Sequence, residues 1–221
     1  MSLIAGNQVL SLGGAAFHME NSNHEEADTR MVLHIIHAIA NGCRSINVRT
    51  VDTDVIVILV GKFQDLKLMT NDLDLWVSFG VGKSFQNYSI NSICSSLGEC
   101  KSRGLPIFHA LTGSDTTSAF HGKGKLSAWK AWQAYPDVTN TFEDLFVNPF
   151  NQLDQTSDHF TKLERFTVVM YDKTSELDDL NVARKHLFCH RNYTMEKLPP
   201  TKVSSTMAVI LLKKYVHFCS V

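Results

Sequence analysis

Fifteen residues, Ile46-Asn47-Val48-Arg49-Thr50-Val51-Asp52-Thr53-Asp54-Val55-Ile56-Val57-Ile58-Leu59-Val60, form the most apolar and β-branched run in the chain, with two carboxylates at its centre. So apolar a run asks to be buried. Its β-branched content favours an extended strand covered on both faces, as in a parallel sheet. A carboxylate inside such a strand is costly unless a cation or hydrogen-bond donors meet it. The strand is therefore predicted to end near Val51, with Asp52 and Asp54 emerging at its carboxyl edge. Open α/β sheets place their ligands at that edge. The expected fold class is α/β.

The flanking segments fit around this strand. Val9–Leu12 is a short apolar piece with strand character. Asn23 is a predicted helix N-cap, and Glu25, Glu26 and Asp28 complement the dipole of the helix that follows. That helix carries Met31, Leu33, Ile35, Ile36 and Ile39 and is stopped by Asn41-Gly42. Lys62 to Asp74 is polar and turn-like. Leu75–Gly80 and Phe85–Ile90 form a predicted hairpin around Val81-Gly82-Lys83. Helices are expected over Ile93–Glu99, over Leu105–Leu111 (entered at Pro106), and over Leu126–Ala134, which Pro136 closes. Thr141–Phe146, Leu153–Met170 and Leu177–Phe188 read as three more. Pro199-Pro200 breaks the chain before an amphipathic piece, Thr206–Val216. A change of character near Tyr135–Asn140 divides an α/β domain, 1–138, from a helical extension, 139–221.

The 221 residues suffice for one α/β domain with an appendage. A net charge of −1 supplies no global field toward nucleic acid or membrane, so any polyanion must meet a local patch. Five scattered cysteines argue for free thiols and an intracellular setting, nuclear or cytoplasmic. No apolar stretch reaches the length of a membrane span, so no membrane partner is expected.

Three acidic groups recur along the chain. They are His24-Glu25-Glu26-Ala27-Asp28, Val51-Asp52-Thr53-Asp54 and Leu111-Thr112-Gly113-Ser114-Asp115-Thr116. Carboxylate oxygens with water are the ligands that Mg²⁺ and Mn²⁺ prefer. Two such ions about 4 Å apart can activate water and stabilise a leaving oxygen in phosphodiester cleavage.

In order and context these segments resemble the flap-endonuclease-like 5′-nucleases of the PIN-like superfamily. Glu26-Ala27-Asp28-Thr29 stands where that family opens a helix with paired acids. Asp52-Thr53-Asp54 matches its D-x-D strand end, and Leu111-Thr112-Gly113-Ser114-Asp115-Thr116 its L-x-G-x-D segment. Gly122-Lys123-Gly124 matches the turn of its helix–hairpin–helix, near 120–125 here. The resemblance covers roughly Asn23 to Trp132. It implies a partial PIN-like three-layer fold with a mainly parallel sheet, a β-hairpin insertion and a C-terminal helical extension. It also implies a two-metal nuclease in which Glu26, Asp28, Asp52, Asp54 and Asp115 bind Mg²⁺ or Mn²⁺, with Glu26, Asp52 and Asp54 closest to the chemistry. Gly122, Lys123, Gly124 and Lys125, joined by Lys130, would meet a nucleic-acid phosphate, DNA ahead of RNA, with K⁺ at the Gly122–Gly124 turn. The family opens with an aspartate-bearing strand, whereas Met1 to His24 hold one acid, Glu20. The front of the fold is therefore expected to be missing.

The residues leave other readings open. The acids of the first group serve a helix start equally well, and Asp52, Asp54 and Asp115 are natural N-caps. A relative that binds nucleic acid or protein without catalysis would keep the same fold. An apolar strand ending in D-x-D also opens the haloacid-dehalogenase-type phosphatases, in which Asp52 would be nucleophile and Asp54 general acid. Trp129 and Trp132 read as core rather than a stacking platform. His34 with His37, and His186, Cys189 and His190, lack the extra ligands of a zinc site.

Overall fold

The computed structural model describes residues 2–5, 8–11, 27–113, 120–149, 154, 156–191 and 194–201. The chain divides into two compact units, Met1–Arg103 and Gly104–Ser220.

The first unit is α/β. Its elements are β1 (Ser2–Ala5), β2 (Gln8–Ser11), α1 (Ala27–Ala40), β3 (Ser45–Thr50), α2 (Thr53–Met69), β4 (Asp74–Phe79), β5 (Gln86–Ser89) and α3 (Ile90–Leu97). Helix α4 (Glu99–Leu111) crosses the division between the units. The strands form one sheet in the order β2-β1-β3-β4-β5. Only β3 and β4 pair in parallel, with Ile46 beside Leu75, Val48 beside Val77 and Thr50 beside Phe79; the other pairings are antiparallel. The expected mainly parallel sheet is thus corrected to a mixed one. A parallel neighbour needs a long crossover, and α2 is the one between paired strands here. The predicted hairpin is present: β4 and β5 join through a 3-10 turn over Gly82–Ser84.

The apolar run at the centre of the chain splits as its aspartates demand. β3 ends at Thr50, one residue before the predicted stop. The remainder, Val55 to Val60, is the front half of α2, and the polar stretch expected to be turn-like, Lys62 onward, continues that helix to Met69. Val55, Ile58, Leu59, Phe63 and Leu66 are buried. Val55, Leu59, Phe63 and Leu66 recur every three or four residues, the period of a helix face, and Val60, Gly61 and Lys62 are buried beside them. The β-branched residues here are helical because packing that stripe outweighs a local strand preference of a few tenths of a kcal/mol each.

Helix α1 ends as predicted. Gly42 takes φ 88, the amide of Cys43 donates to the carbonyl of Ala38 and that of Gly42 to Ile39. Those two bonds close a helix end around a left-handed residue, which glycine adopts without steric cost. The four residues Asn41–Arg44 then lead directly into β3.

The second unit is helical. It holds the end of α4 and α5 (Lys125–Ala134), α6 (Val138–Val147), α7 (Asp158–Tyr171) and α8 (Leu180–Arg191). Helix α7 packs on α5, α6 and α8. Its start is later than Leu153 because Ser157 is the N-cap, accepting from the amide of Phe160. In α4, Pro106 lies inside the helix instead of opening it; the helix starts seven residues earlier, at Glu99, and tolerates one missing amide donor. The core is aromatic: Phe108 stacks on Trp132 at 4.8 Å between ring centroids, and Phe142 meets Trp132 edge-on at 5.1 Å and Phe166 at 5.4 Å. Trp132 is a core residue, as expected, and Trp129 is half-buried and meets it edge-on; the Trp132 indole N–H donates to Thr139 Oγ1. The composition change near Tyr135–Asn140 falls between α5 and α6. Thr206–Val216 lies outside the described residues.

Candidate functional site

Asp52 sits between β3 and α2 in an extended conformation (φ −100, ψ 128) and is the N-cap of α2. Its Oδ1 accepts from the amide of Asp54 at 2.9 Å, and its own amide donates to Thr50 Oγ1 at 3.0 Å. Asp54 lies in the first turn, where its charge complements the helix dipole. Both aspartates are half-buried, while Val51 beside them is exposed. Asp52 Oδ2 has no hydrogen-bond partner among the described residues.

The rim beside them is built by the parallel neighbour. The amide of Gly80 donates to the carbonyl of Thr50 at 3.0 Å, extending the ladder past β4. Gly80 has φ 85, and a Cβ there would stand 2.6 Å from the carbonyl oxygen of Ser84. Only glycine suits that position. Thr50 and Gly80 were not singled out from the sequence. The signal for Thr50 was its place two residues before a D-x-D, and for Gly80 its place at the end of an alternating strand.

Short links join β3 to the helices on either side of it. Helices α1 and α2 flank β3 through four residues and two residues, and they pack on one another. So short a link reverses the chain, and both helices run against the strand. The 14 residues of α1 and the six of β3 both extend about 20 Å. Asp28 lies in the first turn of α1. The Asp28 side chain, Glu26 and Asp115 lie outside the described residues.

Donor type fits a hard cation. Two carboxylates lie at the positive end of α2, which amounts to about half a charge. Two carboxylates are fewer than an all-protein cage for Mg²⁺ or Mn²⁺, and water completes such shells. Among the described residues no group of three or more His, Cys, Asp or Glu converges in a metal-holding arrangement.

The glycine turn of the second unit uses its charges differently. Lys125 Nζ donates to the carbonyl of Gly113 at 2.6 Å, the carbonyl of His109 at 2.8 Å and Thr112 Oγ1 at 3.2 Å. It closes the carboxyl end of α4, where carbonyls lack helical partners. Lys123 Nζ lies 5.0 Å from the centre of the Tyr171 ring. Burial holds its pKa below the usual lysine range, Asp172 opposes that shift and Lys173 adds to it. Tyr171 also donates to the carbonyl of His121 at 3.4 Å, so α7 braces the turn. Gly122 has φ 67, and Gly124 is the N-cap of α5 without a side-chain cap; a Cβ on either would meet nothing within 4 Å. Lys130 is exposed on α5.

A second string of polar groups joins α6 to α7. Thr141 Oγ1 is 3.2 Å from His159 Nδ1, and His159 Nε2 is 3.3 Å from Asp144 Oδ2. The order copies a nucleophile, base and orienting acid, but Thr141 is wholly buried. No substrate reaches it, and the string is a cross-link between helices.

Comparison with protein-family models, with curated proteins and with solved structures finds no match to the chain. Among the described residues no helix is long and apolar enough to cross a membrane.

Proposed function

We propose that the rim formed by Asp52 and Asp54 holds a divalent cation, Mg²⁺ or Mn²⁺, and that the chain is a nuclease-like domain acting on nucleic-acid phosphodiesters. The observation that carries this reading is the placement of two half-buried carboxylates just past the carboxyl end of β3, which pairs in parallel with β4. Asp52 Oδ2 and Asp54 would hold the ion, and Asp28, Glu26 and Asp115 are the acids able to enlarge the set. A bound divalent ion supplies charge neutralisation at the phosphate and a water of lowered pKa. The protein's own part is to hold the carboxylates: Thr50 fixes the Asp52 backbone and the α2 cap fixes its side chain.

A second reading, a binding module without catalysis, draws on one observation. Asp52 Oδ1 is already engaged by the cap, so its carboxylate has one oxygen left for an ion.

Calorimetric titration of Mn²⁺ into the wild-type chain and Asp52→Asn separates these ideas. Asparagine caps a helix as well as aspartate does, so the variant is expected to fold. Loss of at least tenfold in Mn²⁺ affinity is expected; equal affinity in both proteins rejects the site. Cleavage of a branched DNA in Mg²⁺ then supports the nuclease. Cleavage of a small aryl phosphate instead supports a phosphatase with Asp52 as nucleophile. Metal binding without either activity supports the binding module.

A further inference from the structure

The sheet of the first unit has two unlike faces. Ile46 and Val48 of β3, with Leu75 and Val77 of β4, are buried on one. The register puts Ser45, Asn47 and Arg49 with Asp74, Trp76 and Ser78 on the other, and β5 adds Asn87 and Ser89. One register step past the Phe79–Gln86 pair, Phe85 joins the same face, and the Arg49 guanidinium lies 5.8 Å from its ring centre.

Two aromatic rings on this face remain open to solvent. Trp76 is 37% exposed and Phe85 42% exposed. The Trp76 indole N–H donates to Asp74 Oδ1 at 2.8 Å, which orients the ring. Between the rings runs a row of neutral polar groups. Asn47 and Ser78 bond to each other at 2.9 Å, and Ser78 Oγ donates to Asn87 Oδ1 at 2.8 Å. Asn87 is exposed, whereas Ser78 is buried between its neighbours. Trp76 and Phe85 stand four residues apart along β4, about 14 Å.

From this arrangement we infer that the exposed sheet face binds a single-stranded nucleic acid, with bases stacked on Trp76 and Phe85. Aromatic rings stack on bases of any identity, and a strand spanning the two crosses the polar row of Asn47, Ser78 and Asn87. Cations and carboxylates both border this face, Asp52 and Asp54 lying at the rim next to the Phe85 end. Arg49 sits at the Phe85 end, Lys83 is exposed in the adjoining turn, and the one described carboxylate of the face, Asp74, is at the opposite end. A duplex hides the base faces the rings require. The Phe85 end borders the rim where Asp52 lies, since Gly80, opposite Phe85, bonds to Thr50. This inference needs no metal and stands apart from the nuclease reading.

Fluorescence anisotropy in EDTA tests it, using the full chain with labelled twelve-nucleotide oligo(U), oligo(dT) and a duplex of equal length. With the metal removed, binding reports on the face rather than on the carboxylate rim. Single strands are expected to bind and the duplex to bind at least tenfold more weakly. Trp76→Ala and Phe85→Ala should each weaken binding about tenfold, and Trp76→Phe and Phe85→Tyr should restore it to within about threefold. Arg49→Met should lower the salt dependence by about 0.7 in the logarithmic slope. Circular dichroism checks that the variants fold. No single-strand binding by the wild type, equal binding of duplex, or alanine variants indistinguishable from wild type each overturn the inference.

Discussion

The carboxyl edge of β3 and the glycine turn before α5 both carry charge where a ligand could come, but the chain uses that charge in opposite ways. At the edge, one oxygen of Asp52 caps α2 and the other has no partner among the described residues. At the turn, the Lys125 ammonium is surrounded by two carbonyls and a hydroxyl, and Lys123 lies against a tyrosine ring. A carboxylate can cap a helix with one oxygen and offer the other outward. An ammonium ion has three protons, and three acceptors engage them all. The lesson is that a charge in a motif is available for a ligand only in the measure that local backbone groups leave it so.

Three substitutions press on this contrast. Lys125→Met removes the donor that closes α4 while keeping most of the apolar stem. It should cost about 1–2 kcal/mol in urea unfolding, because the bonds are charge-assisted but partly solvated. A loss near zero would show that the ammonium does not hold the turn, and the contrast would fall. Asp52→Ala should cost about 1 kcal/mol by removing the cap, whereas Asp52→Asn should change stability by under about 0.5 kcal/mol. Equal losses in both variants would mean that the negative charge, and not the hydrogen bond to Asp54, is what the fold uses.

The smallest effect concerns the brace beneath the turn. Burial pushes the Tyr171 phenol up to about 12, with the Arg184 guanidinium acting the other way. An unfolded tyrosine ionises near pH 10, so the folded state holds the proton more tightly. Its contribution to stability is complete below about pH 10 and is lost as pH rises toward 12. Tyr171→Phe cannot ionise, so its stability should fall less steeply over that range. Urea unfolding from about pH 9 to 11.5 checks this. Parallel slopes for both proteins would place the phenol in water and remove α7 from beneath the turn.

Much of the first unit was legible in the sequence. An aspartate pair in an apolar run forces a strand to end, and β3 ends beside it. Asn41-Gly42 stops α1 because a left-handed residue closes the helix. The hairpin of β4 and β5 follows from alternation around a glycine turn. The second half of the apolar run was misleading because Val and Ile favour strands locally, while the helical stripe in α2 shows only across its polar continuation to Met69. The pattern also did not reveal the sheet as mixed, since pairing direction depends on which strands become neighbours. The candidate site was legible as a pair, Asp52 and Asp54. Its rim, made by Thr50 and Gly80, was not, because the two residues meet across strands and lie thirty positions apart.

By itself the sequence determined where carboxylates interrupt apolar chain, where helices stop and which faces are apolar, because these depend on neighbours within a few residues. Only the tertiary structure decided which charges remain available. Lys125 looks like a phosphate ligand among glycines until the end of α4 is placed against it, and Trp76 looks like one more strand residue until the register sets it on the open face with Phe85. Those outcomes rest on groups distant along the chain, whose approach is set by packing and not by local preference.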